Sequence, residues 1–535
     1  MNTIKSPDNK YDFIIIGSGF GGSVSALRLT EKGYKVLIIE KGKSYSSEDF
    51  PKTNWDLRHW LWLPSLRFFG FFKMTFFRHV GVLSGVGVGG GSLVYANTLP
   101  RPRKEFFNSG NWAGLADWEN ELSPYYLTAE KMLGANLNPT LYDSDLTLQQ
   151  LARELGKDQF FEPTKASVFF GEPEKSVQDP YFKGEGPDRE GCSFCGGCMT
   201  GCRHNAKNTL DKNYLYLAEK KGAHILSEHL VISVIPTGQP DGKSGYQLIY
   251  RRTSSFMFAR KKTVLTKGVI LAGGVLGTVR LLLDMKNSYL SGLSPMVGDC
   301  IRTNNESLVL VDSKDYSKDF SKGIAIGSIF PPDENSHLES VRYGSGSGFW
   351  KLLGVPLTHG RNAIVRTGKL FYHLIRHPFS WLHIYFTKDF AKQSVILLFM
   401  QHINSTLKFK RGLFGLKSKM STGDAPTAFM SESKKLAEHV SSIINGKPFV
   451  LITEAITGIP TTAHILGGSV IGNTISDGVI DIDQKVFGYN NMFVCDGSAV
   501  SSNPGVNPSL TITAMTERTM DRIPEKLKND SFFPN

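Results

Sequence analysis

Residues 12–40 read DFIIIGSGFGGSVSALRLTEKGYKVLIIE. The opening DFIII has the unbroken apolar pattern of a strand covered on both faces. It runs into GSGFGG, where Gly17, Gly19 and Gly22 make a G-x-G-x-x-G turn, and Ser23 to Lys32 then predicts a helix with Ala26, Leu27 and Leu29 inward. A second apolar run, VLIIE, ends on Glu40, 18 residues after Gly22. Glycines at these places let the backbone approach a pyrophosphate at a helix N-terminus, and an acid at the end of the second strand suits a ribose hydroxyl. Strand, glycines, helix, strand and acid in this order predict a dinucleotide-binding Rossmann unit, and Glu40 favours FAD or NAD over NADP.

Segments further along choose between those two. GVLSGVGVGGGSLVYANT, residues 81–98, is too glycine-dense for a packed helix and reads as backbone wrapped around a ligand. TVLTKGVILAGGVLGTVRLLL, residues 263–283, reads as strand, turn and helix, and NMFVCDGSAV places Asp496 and Gly497 at a strand end before a helical run from Ser509. An NAD enzyme concentrates these features in one compact unit. Their spread from first to last residues fits FAD threaded through a long cleft.

A chain of 535 residues predicts two large lobes or more. The net charge of +12 is dispersed rather than gathered into an arm, which argues against nucleic acid. The opening MNTIKSPDNK has no apolar core of a secretory signal, so a cytoplasmic protein with reduced thiols is expected. The aromatic run Trp60 to Phe77 is interrupted by Pro64, Arg67, Gly70 and Lys73 and cannot span a bilayer.

GSGFGG with Glu40, GVGGGSLVYANT, the Ala-Gly-Gly turn, and AHILGG, VCDGSAV and GVNPSLTITAMTER near the end together resemble the glucose-methanol-choline (GMC) oxidoreductases. Within that family the likeness is to members that oxidise sterols with noncovalently held FAD. It is thin from about residue 345 to 450, and the family's Ser-Pro after the Ala-Gly turn is here Gly277-Thr278. The resemblance implies a Rossmann-like FAD domain built from residues 9–44, 223–312 and 455–527. It assigns 45–222 and 313–454 to a discontinuous α+β substrate domain with a cysteine-rich insertion at 191–205. It implies FAD contacts at Gly17, Gly19, Phe20, Gly22, Glu40, Gly89, Gly90, Gly91, Ser92, Asn97, Val231, Asp496, Gly497 and Asn507. His464 and Asn507 match the family's pair at the reactive edge of the flavin. Alcohol oxidation needs a proton acceptor and a second polar anchor on the same oxygen, which those two residue types supply. Glu339, in SHLESVRYG, falls where the family has a loop glutamate that moves a proton during 5-ene to 4-ene isomerisation, and Glu306, in RTNNESL, is its rival.

The implied activity is oxidation of the 3-hydroxyl of cholesterol or a related sterol to the 3-ketone, with oxygen as acceptor and hydrogen peroxide as product. The alternative is a dehydrogenase for a long-chain or other apolar alcohol that passes electrons to a protein or quinone carrier. Two aromatic stretches, Trp60–Phe77 and Phe371–Phe386, interleave rings with Arg, Lys or His, as helices lying in a headgroup layer do, and equally as walls of an apolar cavity do. Peripheral membrane contact therefore stands as an expectation.

One motif stays open. Cys192, Cys195, Cys198 and Cys202 have the C-x2-C-x2-C-x3-C spacing of an iron-sulfur ligand set, but no second run and no Cys-Pro follow. Zinc favours two separated hooks, which these four are too crowded to make. An iron-sulfur cluster and a reduced structural loop both remain as readings.

Overall fold

The computed structural model describes residues 10–254, 260–358, 360, 362–413, 415–421, 425–427 and 430–527. Strand Lys10–Ile16 lies at the centre of a seven-stranded sheet, parallel to Val36–Ile39 on one side and to Lys262–Leu271 on the other. His224–Leu226 adds in parallel beyond Val36–Ile39. The long strand Lys262–Leu271 forks: its first half pairs antiparallel with Tyr246–Arg252, and its last residues pair parallel with Met492–Val494. Ile14, Ile15 and Ile38 are fully buried, as a parallel sheet covered on both faces requires.

The first helix spans Phe20–Glu31, three residues earlier than Ser23, because Gly19 already serves as its cap. Helices Tyr214–Lys220 and Ser509–Asp521 pack on it, and Trp118–Met132 packs on the latter. Buried Glu517 accepts from Arg28 Nε (2.7 Å) and Nη2 (2.9 Å) and from the Tyr214 hydroxyl (2.6 Å), which fastens the last helix to the first. A buried carboxylate is tolerable here because each oxygen has a donor. Helices Trp118–Met132 and Tyr214–Lys220 thus sit in the nucleotide core, although the sequence division placed residues 45–222 in the other lobe.

A second seven-stranded sheet is wholly antiparallel, in the order Gly354–Pro356, Gly446–Leu451, Ser307–Ser313, Ser394–Gln401, Ser336–Val341, Ile326–Phe330 and Glu162–Pro163. Ser307–Ser313 lies inside this sheet, so the substrate side claims chain before residue 312. Period-two alternation gives the sheet two apolar faces. Val309, Val311, Val395 and Leu397 pack under helices Asp143–Glu154 and Ser431–Ile443, while Leu310, Ile396 and Leu398 point the other way, into a cavity.

The run Trp60–Phe77 is divided between core and surface. Trp60, Phe71 and Phe72 are buried, Trp60 stacks on Phe72 with centroids 4.6 Å apart, and Trp62 and Phe72 line the cavity. Among the described residues no helix is long and apolar enough to cross a membrane.

Candidate active site

A cavity of about 840 Å³ separates the two sheets. Gly17, Glu40, Gly273 and Asp496 line it just beyond the ends of four parallel strands, the place where open α/β sheets bind ligands. Gly17 has φ +101°, and a Cβ there would stand 2.3 Å from the Ala272 carbonyl oxygen. A Cβ on Gly22 would stand 2.1 Å from the Gly17 carbonyl oxygen, so both positions are closed to side chains. Gly19 is open, and no side chain caps the helix start there, which leaves its first N–H groups for an anion. Glu40 is buried and accepts from Ser18 N (3.1 Å), Ser18 Oγ (2.9 Å) and Gly42 N (2.9 Å).

The second glycine loop backs onto the first. Gly90 has φ +51°, and a Cβ on it would lie 2.7 Å from Gly19 Cα. Phe20, Gly90, Gly91, Val231 and Gly497 line the cavity, whereas Gly89 and Ser92 stand behind it, Ser92 Oγ bonding the Gly89 carbonyl at 2.7 Å. Asn97 is fully buried at φ 70°, and neither its Oδ1 nor its Nδ2 has a partner. Its neighbours Ala96 and Thr98 line the cavity but Asn97 itself does not, so the structure does not bring this amide to the cofactor site. The Gly277-Thr278 departure is accounted for locally: Thr278 Oγ1 accepts from Gly273 N (3.1 Å) and donates to Asp496 Oδ2 (2.5 Å). Burial pushes the Asp496 carboxyl up from its ordinary pKa against these bonds.

At the reactive edge the fold joins four residues distant in sequence. His464 Nδ1 is hydrogen-bonded to Glu306 Oε1, and Glu306 Oε2 accepts from Ala463 N at 2.9 Å. His464 Nε2 lies 3.4 Å from Asn507 Nδ2, which also donates to Glu339 Oε2 at 3.3 Å. With both oxygens of Glu306 accepting, Nδ1 carries the proton and Nε2 is the acceptor facing Asn507. Burial draws the imidazole toward its neutral form, but the charge and hydrogen bond of Glu306 and the charge of Glu339 outweigh it and raise the His464 pKa above 6.5. Asn507 Oδ1 has no partner.

Glu339 is not on a loop. It sits within strand Ser336–Val341, fully buried, with Oε1 2.9 Å from His337 Nε2, and it does not line the cavity. Glu306 does line it, and is the partner of His464 rather than only a rival to Glu339. An acid directly before the apolar run SLVLV was the available sign that it is buried.

Nothing in the described structure favours the iron-sulfur reading over the structural loop. Among the described residues no three His, Cys, Asp or Glu are placed to hold a metal ion. Cys192 is buried in an apolar cluster with Ala166, Val168, Ala206 and Ile324, Cys198 and Cys202 pack against the same cluster, and Cys195 is exposed. Burial pushes the Cys198 thiol up to about 11. The loop instead braces the flavin-side segment. Buried Lys207 donates to the carbonyls of Leu93 (3.1 Å), Tyr95 (2.9 Å) and Cys198 (2.8 Å) and lies 4.8 Å from the Tyr95 ring centroid. Replacing Lys207 by Met strands three carbonyls and is expected to lower stability by about 2–4 kcal/mol, read as a fall in Tm of the FAD-loaded protein.

Comparison with known proteins agrees with this geometry. The GMC oxidoreductase family matches residues 184–298 and 437–516, and an NAD(P)-binding Rossmann-like domain matches residues 15–59. A cholesterol oxidase of Acinetobacter baumannii is 43% identical over 96% of this chain and 95% of its own length. A cholesterol oxidase of Mycobacterium tuberculosis is 41% identical over 97% and 92%. Among solved structures, a pyridoxine 4-oxidase superposes with a TM-score of 0.60 at 15% identity, over 96% of this chain and 99% of that one, and shares the fold. The matched segments build both the FAD cleft and the edge that carries His464 and Asn507, and the chain belongs to the GMC oxidoreductases, a family of FAD-dependent enzymes.

Proposed function

We propose that this protein oxidises the 3-hydroxyl of cholesterol or a closely related sterol to the 3-ketone, with molecular oxygen as the final acceptor and hydrogen peroxide as the second product. The carrying observation is a single cavity in which His464 and Asn507 meet long apolar walls from Trp62, Phe72, Leu310, Ile326, Leu398 and Trp350. Full-length similarity to proteins named cholesterol oxidases supports the same substrate.

Bound FAD supplies a two-electron acceptor for the hydride from the alcohol carbon. The Gly17–Gly22 turn and Glu40 would hold its pyrophosphate and ribose. His464 Nε2 takes the hydroxyl proton, Glu306 and Glu339 stabilise the imidazolium that forms, and Asn507 orients the same oxygen. The apolar walls exclude water and bury the steroid rings. Anaerobic addition of cholesterol to the purified yellow protein should bleach the flavin bands, and admitted air should restore them with one peroxide per sterol. Flavin that stays oxidised under sterols, or reduced flavin that persists in air yet responds to a quinone, would overturn the respective half of the reading.

Isomerisation of the 5-ene ketone is proposed to run through Glu339, whose carboxylate adjoins Asn507 behind the cavity wall and would have to turn past that amide to reach a substrate carbon. A carboxylate can accept a carbon-bound proton and return it to another carbon, which an amide cannot. Glu339→Gln is expected to accumulate the 5-ene-3-ketone, with isomerisation slowed more than oxidation, as read by chromatography of products. Wild-type protein that itself releases only the 5-ene ketone removes this role.

A further inference from the structure

A helix on a soluble protein turns its apolar stripe inward. Helix Ala363–Arg376 does the opposite: Ile364, Phe371 and Ile375, at i, i+7 and i+11, are 84%, 58% and 79% exposed. Its inner side is anchored by buried Leu370 and by Arg366, which donates to the carbonyls of Ala455 (3.1 Å) and Gly360 (3.2 Å). Helix Pro378–Phe386 continues the outer surface with Phe379 and Phe386, 87% and 78% exposed, and is anchored by buried Ile384 and by the Tyr385 hydroxyl on the Gly354 carbonyl at 2.8 Å. The outward rings therefore belong to helices held in place, and an apolar face of this extent marks an interaction site.

Charge and position identify the partner. No Asp or Glu occurs between Glu339 and Asp389, and exposed Lys369, Arg376 and Lys388 accompany the apolar stripe. An apolar face on a segment that carries cations and no carboxylate of its own is the composition of a helix lying in an anionic headgroup layer. A second copy of the chain would set these cations against themselves, which disfavours self-association. The helices also pack on Ile452–Thr457 and Phe349–Leu353, the segments that follow Leu451 and contain Trp350 of the cavity wall.

We propose that residues 363–386 form a docking hairpin that seats the enzyme on a bilayer containing anionic phospholipid. The rings lie at the acyl boundary, the cations lie among the headgroups, and substrate passes from the membrane to the adjacent cavity. Its purpose rests on the sterol reading, but the binding is measurable without sterol.

The test sediments FAD-loaded protein with sterol-free vesicles, of phosphatidylcholine alone or with about one third phosphatidylglycerol. Binding is expected to be about tenfold or more tighter to the anionic vesicles and to weaken as salt rises. A Phe371→Glu, Ile375→Glu double variant should lose about tenfold or more of that binding, and Lys369→Gln with Arg376→Gln should lose chiefly the anionic preference. Turnover of detergent-dispersed sterol should be unchanged in both, which shows that they fold. Equal partitioning of wild type and the Glu variant overturns the proposal. So does a wild-type dimer that the Glu variant converts to monomer. Vesicle binding by a protein that oxidises no sterol leaves the docking intact and sinks the substrate reading instead.

Discussion

Glu306→Gln is expected to retain FAD, slow sterol-dependent flavin reduction by about 10²–10⁴-fold, and move the acid limb of its pH profile downward. The rate loss follows from the hydrogen bond at Nδ1. A carboxylate there fixes the proton on Nδ1 and leaves Nε2 to take the substrate proton, whereas an amide can donate to Nδ1 and turn the ring into the wrong tautomer. The pH shift follows from charge. His464 must be neutral to act as a base, and burial alone would lower its pKa. The charge of Glu306, its hydrogen bond and the charge of Glu339 reverse that and set it above 6.5, so activity is lost as pH falls through that raised value. Without the Glu306 charge the pKa drops and the neutral base survives to lower pH. Stopped-flow reduction rates across pH test this. An unchanged acid limb with an unchanged rate removes Glu306 from the proton path.

His464→Ala should bind FAD with an unaltered oxidised spectrum and lower the reduction rate by about two orders of magnitude or more. The side chain contributes the acceptor nitrogen and nothing to the cradle of Gly17, Gly19 and Glu40, so loss of chemistry without loss of cofactor is the expected signature. Asn507→Ala should behave alike, because its Oδ1 is a buried acceptor without a protein partner and its Nδ2 spans His464 and Glu339. A variant that reduces its flavin at the wild-type rate would show the proton leaving by another route.

Much of the nucleotide half was readable because its determinants are local. Gly17, Gly22 and Glu40 lie within one strand-helix-strand unit, and backbone contacts of 2.1–2.3 Å at the two glycines exclude every other residue. The terminal strand and helix were equally plain, since Met492–Val494 and Ser509–Asp521 carry regular apolar patterns between clear breaks. The packing of helix Trp118–Met132 on helix Ser509–Asp521 was not legible, because the two lie nearly four hundred residues apart in the chain.

Local pattern, then, determined the dinucleotide cradle, and resemblance across the chain pointed to His464 and Asn507. Tertiary structure alone decided how those two are served. Glu306 lies just before strand Ser307–Ser313 and Glu339 within Ser336–Val341, with Ser394–Gln401 between those strands and no spacing rule joining the two acids, yet one bonds Nδ1 of His464 and the other bonds Asn507. The four cysteines share a local spacing whose surroundings only the fold shows, with Cys192, Cys198 and Cys202 at one apolar cluster and Cys195 exposed. The reason is common to both: spacing constrains groups that share one turn or strand, whereas hydrogen-bond partners across a cavity are set by the packing of separate sheets, which no short stretch of chain encodes.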